Sequence, residues 1–136
     1  MEEPVPKSPI DYRRFIAEVD AVTACTDSDK PVVLHCWNGA SKCGLFCVVA
    51  NLLQKMALEH EVSVVTAVRT VNTRRKGAIP NLEQFQFCHD CVLDYVQMLT
   101  SSPMLPLISQ IAECRHSAMT VSRTSFIAFQ CTHLHC

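Results

Sequence analysis

The chain has 136 residues, of which 49% are hydrophobic and 18% charged, so it can fold as one domain and is not compositionally disordered. Twelve Lys and Arg residues against 13 Asp and Glu give a net charge of −1, which argues against broad nucleic-acid binding and against a polybasic membrane surface. No apolar run approaches the roughly 18 residues of a membrane span, and the first residues lack a signal-peptide pattern, so we expect an intracellular protein.

The chain contains nine cysteines, an odd number that does not suit a framework of disulfides. Most of them stand among apolar neighbours, which favours reduced and buried thiols. The cysteines with such neighbours are Cys25, Cys36, Cys43, Cys47, Cys88 and Cys91.

A first helix is predicted to begin at Ser8. Ser8 suits the N-cap, Pro9 suits the first helical position, and Asp11 faces the free N–H groups of the first turn. Apolar residues then recur at helical spacing and are expected to face the core. They are Phe15, Ile16, Val19 and Val22.

A continuous apolar run at residues 31–35 follows a polar turn and predicts a central strand covered on both faces. No other segment predicts a strand that would pair with it. Because an isolated strand leaves its backbone polar groups unpaired, the run indicates that its partners lie outside this chain. The sequence therefore predicts the C-terminal portion of a larger α/β domain with an incomplete sheet.

Three further helices are predicted after the strand. The second begins near Cys43 and breaks at His60, and Gly77 is expected to end the third. Asn81 is the predicted N-cap of the fourth, with Gln84 three residues later. The residues expected to face inward from the third helix are Val62, Val65, Val68 and Val71.

The loop between the strand and the second helix begins with Cys36 and is small and polar. Such a loop can turn several backbone N–H groups towards one point, and the helix N-terminus adds about half a positive charge. An anion with several oxygens would be held there. The same potential should lower the pKa of Cys36 and make its thiolate a nucleophile.

The stretch from His35 to Gly44 resembles the loop of the protein tyrosine phosphatase family, which reads H-C-x-x-G-x-x-R-[ST]-G. Residues 5–9, 74–79 and 83–87 resemble further segments of that family in the same order. The resemblance covers residues 2–99, which we interpret as a partial phosphatase domain, and leaves residues 100–136 as a tail of unknown structure. It implies an α/β fold and phosphotyrosine dephosphorylation through a cysteinyl-phosphate, with no cofactor and no metal.

The resemblance also implies roles for individual residues. Cys36 would be the nucleophile, and His35 would order the loop through hydrogen bonds. By spacing, Glu2 stands at the position of the general acid, although the segment lacks the Trp and Pro that flank that acid in the family; a chain that starts at Met1 would have a truncated acid loop. The substrate-binding positions would be Trp37, Asn38, Gly39, Ala40, Ser41, Lys42 and Gln84.

Several positions depart from the family pattern. Lys42 replaces an Arg that binds two phosphate oxygens at once, and the loss of such a donor typically costs roughly 10²–10³ in rate. Cys43 replaces a hydroxyl donor with a weak S–H donor, and Pro80 replaces a Gln that positions water. The sequence therefore predicts an impaired or inactive, regulatory domain, similar to the second domains of receptor-type tyrosine phosphatases.

Two classes of function remain open, a weak phosphatase and a non-catalytic module. The module would bind a phosphotyrosine protein or peptide, or another phosphatase domain. A third alternative is a truncated gene product without a function of its own. The expected location is the cytoplasm, alone or as the intracellular part of a receptor-type protein.

Other residues have both a functional and a structural interpretation. Trp37 suits stacking on an aromatic ligand or packing, and Arg74 and Arg75 suit a solvated helix end better than a phosphate site. Cys88 and Cys91 have the spacing of half a zinc site, but their helical, apolar context favours packing. The cysteines and histidines of residues 131–136 are too closely spaced to close easily around one structural metal.

Overall fold

The computed structural model describes residues 5–25 and 32–101 and the backbone of residues 128–129. The elements in chain order are α1 (Pro9–Cys25), β1 (Val33–Leu34), α2 (Ser41–Glu59), α3 (Val64–Arg74), α4 (Leu82–Ser101) and β2 (Ala128–Phe129).

Helix α2 is the centre of the core. Its residues 43–49 are all buried, as is typical of a helix that neighbours cover on every side. Helices α3 and α4 both pack against α2, and α1 packs against α4 and the adjoining part of α2. The helix that begins immediately after the Cys36 loop is therefore the most firmly held element of the described chain.

Three helices begin with a side-chain cap. The Ser8 hydroxyl accepts the N–H of the residue three positions on at 3.2 Å, and the Asn81 side-chain oxygen does the same at 2.9 Å. Both caps confirm the predicted starts of α1 and α4. Ser63 caps α3 in the same way at 3.3 Å, a start that the sequence analysis did not identify.

The predicted helix ends are found close to their expected positions. Helix α2 ends at Glu59, and His60 adopts the left-handed conformation with φ 56°. Helix α3 ends at Arg74, and Gly77 turns the chain with φ 80°, a conformation that favours glycine.

The predicted inward faces of α1 and α3 are only partly correct. Ile16 is 1% exposed, but Phe15 and Val22 are 51% and 68% exposed, because α1 lies at the edge of the bundle and contacts neighbours along a narrow face. Helix α3 starts at Val64, directly after its cap Ser63. This start places Val65 on the outward face of the helix. The buried residues of α3 are Val71, as predicted, together with Val64 and Ala67, which were not predicted.

The strand prediction is corrected in two respects. Strand β1 is paired within the chain, in parallel with β2, so that Val33 lies opposite Ala128 and Leu34 opposite Phe129. The expectation of a strand without a partner in this chain is therefore wrong. Val33 is also 52% exposed, because two residues beside a single neighbour cannot build the wide sheet that helices would cover on both faces.

A close approach between α2 and the segment after α3 requires a glycine. A Cβ atom on Gly44 would lie 2.5 Å from the Cα, Cβ and carbonyl oxygen of Ala78. Ala78 is fully buried, and its N–H donates to the side-chain oxygen of Asn72 at 3.1 Å. The segment that contains Ala78 is thus fixed directly against the first turn of α2.

Polar and aromatic contacts hold α1 against α4. The Arg13 Nε atom donates to Asp94 Oδ2 at 2.6 Å, and both side chains are less than one-fifth exposed. The Tyr12 ring packs edge-on against Phe87 with 5.5 Å between the ring centroids. Through these contacts α1 becomes part of the same core as α2.

Candidate active site

The candidate site is the loop of residues 35–40 that joins β1 to α2. Cys36 is partly exposed and follows the strand, and α2 begins five residues later at Ser41. Gly39 makes the turn with φ 61°, and its N–H donates to the Cys36 carbonyl oxygen at 3.1 Å. This strand–loop–helix arrangement is the one predicted around Cys36.

Hydrogen bonds in the loop make Cys36 more acidic than an ordinary thiol. Partial burial is the largest single influence on its pKa and raises it. Hydrogen bonds from the backbone and thiol of Cys43, and from the backbone of Lys42 and Gly39, outweigh burial and lower the pKa of Cys36. The loop therefore favours the thiolate, as expected for converging donors at a helix start.

Cys43 is buried, with 4% of its surface exposed, in the first turn of α2. Burial raises its pKa to about 12, and its hydrogen bond to Cys36 and the charge of Cys36 act in the same direction. Cys43 consequently stays protonated at neutral pH and can donate its S–H to the Cys36 thiolate. It is a weaker donor than a hydroxyl group.

Asn38 lies inside the loop, two residues before Ala40, the N-cap residue of α2. Its Oδ1 atom accepts the N–H groups of Ala40 and Ser41, both at 3.0 Å, and its Nδ2 atom donates to Ser41 Oγ at 3.1 Å. The sequence predicts Asn38 as a substrate-binding residue and does not show that its side chain holds the loop together. The signal was the preference of Asn for turns, in which its side-chain oxygen accepts nearby backbone N–H groups.

Arg75 connects the site to α3. Its Nε atom donates to the Gly39 carbonyl oxygen at 3.1 Å, and the residue is partly buried. The interpretation of Arg74 and Arg75 as a solvated helix end is wrong for Arg75, because the end of α3 lies against the loop. Arg74 is exposed.

Beside Cys36 the surface forms a small open depression of about 110 Å³. Trp37 stands at its rim and is fully exposed, so the packing interpretation of Trp37 is wrong. Lys42 is exposed in the first turn of α2 and contributes a positive charge to the same depression. The lining residues are Cys36, Trp37, Asn38, Ser41 and Lys42.

The remaining predicted site residues lie elsewhere or outside the described chain. His35 is exposed at the end of β1, and Gln84 is buried in the first turn of α4 rather than in the lining of the depression. Glu2 lies outside the described residues.

The possible metal ligands of the sequence occupy different environments. Cys88 and Cys91 are both fully buried in α4. Within residues 5–25 and 32–101, no three His, Cys, Asp or Glu side chains come together as metal ligands. The cysteines and histidines of residues 131–136 lie outside the described residues.

An acidic thiol between a strand and a helix start, with backbone donors around it, is the arrangement of a cysteine-dependent site for anionic substrates. The family model of the protein-tyrosine phosphatases matches residues 1–94. The chain belongs to this family, and residues 5–25 and 32–94 are the described part of a phosphatase domain fragment.

Curated relatives share moderate identity with the chain. It is 28% identical over 95 residues to receptor-type tyrosine-protein phosphatase S of Gallus gallus. The matched stretch covers 70% of this chain and 6% of the relative. The identity is also 28% over 95 residues with receptor-type tyrosine-protein phosphatase F of Homo sapiens and with tyrosine-protein phosphatase Lar of Drosophila melanogaster, again covering 70% of this chain and 5% of each relative. The chain thus spans about one-twentieth of the length of these proteins. Among its described helices, none is both long and apolar enough to cross a bilayer.

Proposed function

We propose that this chain is a catalytically impaired protein tyrosine phosphatase domain, which binds phosphotyrosine and releases phosphate slowly. The observation that carries the proposal is the contrast between Cys36 in the loop and Lys42 in the first turn of α2. Cys36 has a lowered pKa, whereas the position of the phosphate-binding Arg is occupied by Lys42. A nucleophile is present, and the planar fork that would hold the transition state is not.

The reaction has two steps in this proposal. The Cys36 sulfur attacks phosphorus, forming an S–P bond, while the bond to the tyrosyl oxygen breaks and that oxygen takes a proton from water. Water then cleaves the S–P bond and releases phosphate. Lys42 can neutralise charge in both steps but offers only a point donor, and Pro80 has no side-chain donor with which to position the water.

The extent of the domain is part of the same proposal. Residues 2–99 would form the C-terminal portion of a larger α/β phosphatase domain, and residues 100–136 a tail whose residues 128–129 pair with β1. The moderate identity with receptor-type relatives supports a regulatory role like that of a second phosphatase domain, inside the cell. Its partner would be a phosphotyrosine protein or peptide, or another phosphatase domain.

The proposal is tested by turnover of an aryl phosphate. We expect Lys42→Arg to raise the rate by roughly 10²-fold, because it restores a bidentate donor to the transition state. Lys55→Arg is the matched control, since Lys55 is an exposed lysine of the same helix that pairs with Glu59 at 3.6 Å, away from the loop. Wild-type turnover equal to that of Lys42→Arg, and abolished by Cys36→Ser, would contradict the impairment.

The exposed Trp37 supports a second candidate, a module that binds phosphotyrosine without any turnover. A fully exposed indole at the rim of the depression can stack on an aromatic ring. Trp37 is the single Trp of the chain, so its fluorescence reports on this site alone. Quenching by a phosphotyrosine peptide but not by the unphosphorylated peptide, with no phosphate released, would favour this candidate over the impaired enzyme.

A further inference from the structure

We infer that Asn38 is an internal occupant of the anion site, and that an oxyanion binds only after the Asn38 side chain has rotated out. This inference rests on the proposed function, since it concerns how the same loop admits its ligand.

The Asn38 oxygen occupies the position of a bound oxygen. Two backbone N–H groups, those of Ala40 and Ser41, converge on the single Oδ1 atom at 3.0 Å each. The Ser41 hydroxyl lies 3.4 Å from the same atom, and the Cys36 sulfur lies 3.5 Å from it. The two N–H groups and the Ser41 hydroxyl are donors that a phosphate oxygen would need in this loop, and the Cys36 sulfur beside them is the atom that would attack the phosphorus.

The orientation of the Asn38 amide is fixed by the chemistry of its neighbours. With the oxygen towards Ala40 and Ser41, each N–H group meets an acceptor, and Nδ2 donates to Ser41 Oγ at 3.1 Å. The opposite orientation would place an NH₂ group against two N–H donors. Asn38 therefore presents its oxygen, the atom that resembles a ligand oxygen, to the loop.

Occupancy by a neutral amide determines which ligands can compete. An incoming group must regain the two N–H hydrogen bonds and add enough attraction to displace an oxygen that the chain already holds in place. A dianion with several oxygens gains a charge-assisted bond at each N–H group, whereas a singly charged carboxylate gains less. The Asn38 side chain should therefore favour dianionic tetrahedral oxyanions over carboxylates.

The experiment measures sodium tungstate binding to the full chain by calorimetry, with sodium acetate as the singly charged comparison. Asn38→Ala removes the internal oxygen and should bind tungstate about tenfold more tightly, because two N–H groups become available to the ligand. Asn38→Asp keeps an acceptor in the same place and adds a negative charge, so it should bind more weakly than the wild type. A residue that only holds the loop together would produce the opposite ranking, with Asn38→Ala the weaker binder.

The outcomes separate the two proposals. Equal tungstate affinity of the wild type and Asn38→Ala would overturn the role of Asn38 and leave the anion site intact. Failure of both forms to bind tungstate would overturn the proposed function and this inference with it.

A measurement on the wild type covers the case in which Asn38→Ala does not fold. Displacement of the Asn38 side chain by tungstate should shift its NH₂ resonances in an NMR titration. If tungstate binds and those resonances do not move, Asn38 does not leave the site and the inference is wrong.

Discussion

Arg75 Nε donates to the Gly39 carbonyl oxygen at 3.1 Å, across 36 positions of the sequence. Gly39 is buried and forms the turn of the Cys36 loop with φ 61°. Arg75 is also the C-cap residue of α3, and its N–H donates to the Val71 carbonyl oxygen at 2.8 Å. One residue thus ends a helix and holds the turn of the loop that contains Cys36.

Replacement of Arg75 should loosen the loop. We expect Arg75→Ala to slow iodoacetamide labelling of Cys36 several-fold. The Gly39 N–H group would no longer be held towards the Cys36 sulfur, so the thiolate would lose one of the donors that stabilise it. The loss of a partly buried, charge-assisted hydrogen bond should also lower the free energy of unfolding by about 1.5–3 kcal/mol. Arg74→Ala, at an exposed neighbouring position, is the matched control and should change neither quantity. Unchanged labelling in folded Arg75→Ala would show that the bond does not position Cys36.

Cys36 should be the most readily alkylated of the described cysteines at neutral pH. Hydrogen bonds lower its pKa, whereas burial raises the pKa of Cys47, Cys88 and Cys91 to about 12. Since the thiolate is the reactive form, the Cys36 rate should rise with pH and reach its plateau at a lower pH than that of a free thiol. Peptide mass spectrometry after timed iodoacetamide labelling measures this, with the exposed Cys25 as an accessibility control. If Cys36 labels no faster than Cys88 in folded protein, the converging donors do not act on it.

Alkaline pH should destabilise the fold. The pKa values of the buried thiols of Cys43, Cys47, Cys88 and Cys91 are raised by burial from 9.0 to about 12, and burial also raises that of the Tyr12 hydroxyl. Above pH 9 the unfolded chain releases these protons while the folded chain retains them. The contribution of the protonated thiols to the free energy of unfolding is therefore fully present below pH 9. It is lost as the pH rises towards 12.

Urea unfolding at about pH 8 and about pH 10.5 measures this loss, which amounts to at most about 1.4 kcal/mol per pH unit for each thiol. Cys91→Ala removes one buried thiol and should reduce the pH dependence. Cys25→Ala, at an exposed position, should leave it unchanged. An identical pH dependence in both variants would argue against buried thiols as its source.

Gly44→Ala should destabilise the protein by about 1–3 kcal/mol, because the added methyl group overlaps a fixed backbone. The overlap involves the Cα, Cβ and carbonyl oxygen of Ala78 at 2.5 Å. Combination with Ala78→Gly removes only the Cβ contact, so it should recover part of the loss and not all of it. Thermal unfolding compares the four proteins, and full recovery in the double variant would mean that the backbone atoms of Ala78 are free to move.

The local features of the sequence predict much of the helical structure. Ser8 and Asn81 mark helix starts through short-range hydrogen bonds, and those bonds depend only on residues three positions away. The loop pattern around Cys36 likewise predicts its place between a strand and a helix, together with the direction of its pKa shift.

Tertiary structure decided the features that depend on distant residues. The pairing of β1 with residues 128–129, the exposure of Phe15 and Trp37, and the bond from Arg75 to Gly39 all depend on which segments meet in space. Periodicity shows that a helix has an apolar face, but it does not show how much of that face a neighbour covers. For this chain, the sequence by itself determined that Cys36 lies between a strand and a helix and that Lys42 follows it at the start of α2. The fold decided that Arg75 holds the loop and that Asn38 fills it, because both depend on distances that local pattern does not contain.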